Sequence, residues 1–320
     1  MLLNSFYQSG LSGTAPFLDQ EPDTGDKKGK LWVFDFRENK LFNPNPHGVA
    51  LETNFNKIDL PGYAPDHLEK MFADKIEQKA VSVLRWICAN NDIPSDEDFS
   101  YVLNLLTLFA VRNPAMRRSM TASKKHAYRV IGDLLASDRR LYEHHAEKAR
   151  ERGFIAGADV PFELMQETLR ADFELQISPQ EHLATELAVF KSILEGVSAR
   201  YWSLLIAAPD APDFITCDHP ASVVYKQCVF PIGPRHALMG DRENPAPARI
   251  ILPTAGVAEV NARIADLADR QIYARLLEVT ILVEREVVTI PLAQLEFAGK
   301  SRAMQSSLAT FKDHGRASTA

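Results

Sequence analysis

The strongest periodicity in the chain runs from Asp66 to about Asn90, where Leu68, Met71, Phe72, Ile76, Ala80, Val83, Leu84 and Ile87 recur at steps of three and four. That spacing gathers them on one face of a helix. Phe99 to Val111 is apolar nearly all round, and a helix without a polar face belongs in the centre of a core. Ser95 with Asp98 resembles a capping box with Asp in place of Glu, and Asn113 before Pro114 marks the stop. Residues 121–152 return to helical spacing under heavy charge, with His144 and His145 beside Glu143 and Glu147, whereas 153–177 show no clear period. At Ser178-Pro179-Gln180-Glu181 a cap serine, a proline at the first helical position and a Glu placed to reach back coincide. Leu183, Leu187, Phe190, Ile193, Leu194 and Val197 then make one stripe over about 179–199.

Strand signals bracket this helical middle. Leu31-Trp32-Val33-Phe34-Asp35-Phe36 alternates with aromatic weight and predicts a strand closed by the polar turn at Glu38-Asn39-Lys40. Residues 8–30, 43–48 and 61–65 are rich in turn formers and read as loops. Past residue 200 the apolar runs shorten to 201–207, 213–217, 222–225, 228–232, 236–239 and 249–252, punctuated by Pro, Gly and Asp. Gly256 to about Ala274 has helical spacing, and Leu277 to Ile290, rich in Val, Ile and Thr, reads as a hairpin. The pattern predicts an α+β fold, with a mainly helical middle (about 65–200) packed on a small, mostly antiparallel C-terminal sheet (about 201–297). The strand near 31–36 is expected to add to that sheet. Residues 1–297 are expected to form a single domain and 298–320 a flexible tail.

Composition narrows the function classes. With 320 residues and 46% hydrophobic content the chain can bury a sizeable core. The net charge of -6 and pI of about 5.9 repel polyanions, so there is no nucleic-acid signature. Arg139-Arg140 and the charges at 148–152 are mixed in sign and read as exposed helix surface. Three scattered cysteines, Cys88, Cys217 and Cys228, suit a reducing compartment. No run approaches the roughly 18 apolar residues of a membrane span, and Met1-Leu2-Leu3-Asn4-Ser5 lacks a basic leader. The expectation is a soluble, cytoplasmic protein with no membrane association and no assigned partner.

Candidate chemistry concentrates at Phe214-Ile215-Thr216-Cys217-Asp218-His219-Pro220, followed by Val229-Phe230-Pro231-Ile232-Gly233-Pro234. Strand ends fix position while loops leave side chains free to meet a ligand. Asp218 either accepts backbone amides at the strand end or pairs with His219 for acid–base work if Pro220 turns the chain. Asn261 shares a stripe with Val257, Val260, Ile264 and Leu267, so its amide faces the core as a clamp or a pocket residue. Arg112 ends the most apolar helix, where it meets terminal carbonyls or an anion in a cleft, with Glu77 a possible partner. Cys217, His219, Cys228 and His236 are acceptable zinc ligands, but their spacing follows no metal pattern and structural thiols are favoured. No nucleophile elbow, phosphate-cradling glycine loop or closed ligand set occurs, and no metal or cofactor is assigned.

The ligand-binding candidates are therefore Glu77, Arg112, Asp218, His219 and Asn261. Asp218 and Arg112 are the catalytic candidates. Two functions stay open. In one, these groups line a small-ligand pocket or form a purely structural network. In the other, the protein is a hydrolase, acting on a phosphate-containing substrate, with Asp218 as acid/base and Arg112 stabilising charge.

The order of the pieces is itself informative. Leu31-Trp32-Val33-Phe34-Asp35, Glu52-x-Asn54-Phe55, Ile76-Glu77, Arg112-x-Pro114, Trp202, the 214–220 and 230–234 segments, Asn261, Arg270 and Tyr273 together resemble the family catalogued as domain of unknown function 4238. The resemblance covers most of residues 1–275 and implies an aromatic N-terminal piece, a helical middle and a compact C-terminal strand region. It implies no reaction. The family pattern resembles Ser/Thr-Ser-Asp-Asn-Pro where this chain has Cys217 and His219 around Asp218 and Pro220, which weakens any role built on the cysteine and histidine. The family also opens with a His-x-x-Pro-x-x-Tyr type segment, of which only Phe6-Tyr7 and Gly10-Leu11-Ser12 are reminiscent here, as in a truncated or divergent N-terminus.

Overall fold

Backbone contacts in the computed structural model divide the chain into two units, residues 1–113 with 186–320 and residues 114–185. The structure describes residues 31–44, 76–112, 114–153, 160–170, 176–221, 223 and 226–295. The predicted loops at 8–30, 45–48 and 61–65, the motif at 52–55, the helix start at 66–75 and the tail after 298 lie outside the described residues. The fold is α+β, with seven helices among the described residues, concentrated in the middle of the chain, and sheets mainly towards its C-terminal part.

The described residues of the first unit form three sheets rather than one. β1 (Trp32–Asp35) pairs with β2 (Lys40–Phe42), then β8 (Gln271–Ala274) and β4 (Thr216–Cys217) extend the antiparallel order β2-β1-β8-β4. A larger sheet has the order β5-β6-β3-β7, formed by β3 (Tyr201–Ala207), β5 (Gln227–Gly233), β6 (His236–Asp241) and β7 (Arg249–Leu252). Only its β3–β7 pair is parallel. β9 (Glu278–Val283) and β10 (Glu286–Pro291) make the predicted hairpin. Its turn carries Glu284 and Arg285 at φ 50° and 73°.

Both faces of the larger sheet are covered, so its strands read as continuous apolar runs, and every residue of β6 is buried. On one face Leu204, Phe230, Ile232 and Leu238 pack with α1 (Gln78–Asn90) and the apolar α2 (Asp96–Val111). On the other, Leu205, Ala237 and Met239 pack with Val257, Val260 and Ile264 of α7 (Thr254–Leu267). Gly240 leaves room on the first face, where a Cβ would stand only 3.0 Å from Arg200 Cδ and the Trp202 ring. β5 lies at an edge of the sheet and carries Pro231 beside a register irregularity, where a missing N–H is tolerated.

Two sequence expectations need correction here. The helix expected over 256–274 stops at Leu267, and Gln271–Ala274 becomes the strand between β1 and β4. Ile272 and Tyr273 are buried on opposite faces, a four-residue pattern that periodicity cannot separate from the end of a helix. The Ser95 side chain makes no cap bond. The start of α2 instead carries Asp96, Glu97 and Asp98 in its first turn, where carboxylates favour the N-terminal dipole.

The second unit holds α3 (Pro114–Ser137), α4 (Arg139–Glu151), α5 (Phe162–Arg170) and the first turns of α6 (Pro179–Ser198). Asp138 caps α4 by accepting the amides of Arg140 and Leu141. Ser178 Oγ accepts the Glu181 amide at 3.2 Å as predicted, but the Glu181 carboxylate does not turn back. It takes Lys124 Nζ at 2.9 Å and the Tyr128 hydroxyl at 2.6 Å. Leu187, placed on the apolar stripe of α6, is 52% exposed. Among the described residues of this unit only Gly132 and Leu183 are buried. No helix among the described residues is long and apolar enough to cross a membrane.

Candidate functional site

The polar side chains singled out above fall into distinct settings in the first unit. Asn261, on α7, is fully buried and spends its amide on main chain. Its Oδ1 accepts Ile215 N at 2.9 Å, and its Nδ2 donates to Asp213 O at 2.9 Å and Thr280 O at 3.0 Å. It thereby ties the segment before β4 to α7 and β9.

Asp218 stands at the other end of that segment, directly after β4. Its Oδ1 accepts Asp269 N at 3.0 Å and its Oδ2 accepts Arg270 N at 2.8 Å, while its own amide donates to Gln271 O. The carboxylate thus caps the turn joining α7 to β8. Burial pushes its pKa above the ordinary carboxylate value, and the backbone amides only partly oppose this. His219 is half-buried beside it.

Asp35, the last residue of β1, lies in the aromatic strand motif but outside the predicted site set. It is 2% exposed and accepts four bonds. Oδ1 takes the amides of Arg37 and Glu38 at 3.1 Å each, and Oδ2 takes Arg270 Nε at 2.7 Å and Gln271 Nε2 at 2.8 Å. Burial alone would raise its pKa, but the bonds from Gln271, the Glu38 amide and Arg270 outweigh it and hold the carboxyl below its ordinary value. Tyr273 donates its hydroxyl to Gln271 Oε1 at 2.9 Å, and Arg37 reaches Asp269 at 3.0 Å. Two carboxylates therefore grip residue 270, one by its side chain and one by its main chain, and their proton affinities are displaced in opposite senses.

Arg112 and Glu77 belong elsewhere. Arg112, at the C-terminus of α2, pairs with Glu186 of α6, Nε to Oε2 at 3.3 Å, with side-chain exposures of 3% and 1%. Glu77 is buried in the turn preceding α1. The possible zinc set is split. Cys217 lies in the β1–β8–β4 sheet, whereas Cys228 and His236 lie in the larger one, and His236 Nε2 bonds Asn91 Oδ1 at 2.7 Å. Burial raises the pKa of all three thiols, that of Cys88 to about 12, so they are poor nucleophiles. Among the described residues no group of three or more His, Cys, Asp or Glu could hold a metal ion.

Residues 1–276 match the family model described as Protein of unknown function (DUF4238). The chain belongs to this family. No curated protein and no solved structure matches it. In this DUF4238 chain four of the residues on which the resemblance rested, Asp35, Asp218, Arg270 and Tyr273, share one hydrogen-bond network despite their distance in sequence.

The residues missed by sequence reasoning had left signals. Asp35 shares the face of Leu31 and Val33 in an alternating strand, so a carboxylate was due to be buried. Glu186 lies three residues after Leu183 and four before Phe190, inside an apolar stripe. Gln271 left none, because the strand that orients it was hidden in an apparent helix.

Proposed function

We propose that this DUF4238 chain is a soluble intracellular binding protein whose strand-end network is structural and presents Arg270 to a small anionic ligand. One observation carries the reading. Arg270 Nε is fixed on Asp35 at 2.7 Å, yet 46% of the side chain remains exposed. A guanidinium anchored through Nε has its outer nitrogens oriented in one plane, a geometry suited to two oxygens of a carboxylate or phosphate. Arg37, 53% exposed and bonded to Asp269, adds positive charge next to it. Asp218 and Asn261 support the reading as clamps, since both spend their side chains on main-chain groups. Three buried thiols fit a reducing, cytoplasmic setting.

The hydrolase reading draws its support from the raised proton affinity of Asp218, which suits a general acid. It would require the carboxylate to give up the 269 and 270 amides. It would also require Arg112 to act on the same substrate while paired with Glu186 in the core.

Titration calorimetry with phosphate, citrate and nucleoside phosphates tests the binding reading. Binding is expected for wild type and should fall at least tenfold in Arg270→Ala with little change in melting temperature. No binding by wild type, or equal binding by the variant, would sink it. Turnover of phosphodiester and ester panels by wild type, lost in an Asp218→Ala form that melts normally, would replace it with the hydrolase.

A further inference from the structure

His236 opens β6 on the same side as Leu238, the face of the larger sheet that α1 and α2 cover. It is 6% exposed, and its Nε2 stands 2.7 Å from Asn91 Oδ1. Asn91 ends α1 in the left-handed conformation, at φ 53° and ψ 41°. An amide oxygen only accepts, so Nε2 carries the ring hydrogen and Nδ1 keeps a bare lone pair. Nδ1 is buried with no hydrogen-bond partner among the described residues. The bond joins segments far apart in the chain and fastens the last turn of α1 to the sheet.

The surroundings of the ring suit its neutral form. Ile206 of β3 and Gly233 of β5 are its register partners, and neither offers an acceptor side chain. Arg235 precedes it and spends its guanidinium on the carbonyls of Ala207, Ala208, Ala211 and Pro212 and on Asp213. From β7, Arg249 Nη1 reaches Asn91 O at 3.5 Å. Cys88, in the last turn of α1, is kept protonated by burial, with its pKa pushed up to about 12. The carboxylate of Asp92, next to Asn91, accepts the Ile93 amide, and that of Asp213 takes Arg235 and Arg275. Protonation would therefore place a hydrogen on Nδ1 with no acceptor, and a buried charge with two guanidiniums close by. Breaking the bond to Asn91 and turning the ring to water removes both costs.

We propose that the His236–Asn91 bond is an acid-released latch, which holds the C-terminal turn of α1 on the larger sheet near neutral pH and frees it on acidification. Burial first, and Arg235 second, push the His236 pKa below the ordinary histidine value of about 6.5. The open latch then takes up a proton more readily than the closed one. The hold is complete above about 6.5 and is lost as pH falls through the folded value. Release uncovers Ile87 and Cys88, which share the apolar cluster of Leu238. The latch belongs to the larger sheet and Arg270 flanks the β2-β1-β8-β4 sheet, so the proposal stands independently of anion binding.

Hydrogen exchange of the full chain between pH 7 and 5, corrected for the pH dependence of intrinsic exchange, tests it. The amides of Ile87 to Asn90 should lose protection about tenfold per pH unit below about 6.5, as uptake of one proton on opening requires. Those of Leu105 to Leu108 in α2 should keep theirs. His236→Gln, whose amide nitrogen can donate to Asn91 without titrating, should retain the neutral protection and lose the pH response. Asn91→Gly, which suits the left-handed backbone, should leave the turn unprotected already at pH 7, and it decides the matter where the glutamine variant does not fold. Four results overturn the latch: constant protection in wild type, an equal loss in α2 that marks global acid unfolding, a wild-type pH response in either variant, or full protection of the turn at pH 7 in Asn91→Gly.

Discussion

Two carboxylate–arginine contacts among the described residues of the first unit use the same chemical groups to different ends. Arg112–Glu186 is a side-chain pair sealed among apolar helices, with exposures of 3% and 1%. Asp35–Arg270 opens at one end to solvent, and its carboxylate is saturated by main-chain and side-chain donors. In the first contact both charges are withdrawn from water, and their attraction offsets part of a desolvation cost of several kcal/mol for each ion. In the second the cost is spread over many donors. The cation keeps an exposed face, the one that the proposed anion would meet. Burial therefore separates a pair that holds helices together from a network that aims a side chain.

The largest expected effect comes from removing one member of the sealed pair. Glu186→Leu should destabilise the protein by about 3–5 kcal/mol in denaturant unfolding, because a buried guanidinium loses a carboxylate partner. Arg112→Met combined with Glu186→Leu should recover part of that loss, and a double variant as unstable as the single one would refute the coupling of the two. Asn261→Leu follows, at about 3 kcal/mol, since it strands Ile215 N–H and the carbonyls of Asp213 and Thr280. An unchanged melting curve would remove the clamp. Asp35→Asn should cost about 1.5–3 kcal/mol by weakening charge-assisted bonds. It should also free the Arg270 side chain, which loss of anion binding in calorimetry would register.

The smallest effect is a difference in pH response. Asp35 has a lowered pKa, so its contribution is present above the unfolded value of about 3.9 and is lost as pH falls through the folded one. Asp218 has a raised pKa, so its contribution is present below about 3.9 and is lost as pH rises through its folded value. Denaturant unfolding between pH 3 and 7 should show Asp35→Asn flattening the acid loss and Asp218→Asn flattening the loss on the neutral side. The two effects should have opposite signs along the pH axis. Identical slopes in both variants would contradict the opposed environments.

Much of the architecture was legible because it follows from period alone. The apolar α2, the Ser178-Pro179 start of α6 and the β9–β10 hairpin each carry a local signal strong enough to override ambiguity. The strand at 271–274 was illegible because its four residues are buried from both sides, and its partners, β1 and β4, lie far away in sequence. That one element hid the site. Without β8 the register that brings Asp35 opposite Gln271 cannot be drawn, and Asp218 has no turn to cap. Asn261 was readable as a buried amide from its stripe, but its three acceptors and donors are tertiary facts. Arg112 was legible as an oddity at a helix end, while Glu186 passed unnoticed inside a stripe of leucines.

Arg112 and Glu186 also stand at the two borders of residues 114–185, so their contact ties the neck of everything in between. A loop whose ends are already fastened loses little by growing longer, because closure entropy rises only with the logarithm of length. The intervening stretch is thus a natural graft point, where evolution or an engineer can shorten, extend or exchange a module while the sheets beyond the knot keep their shape.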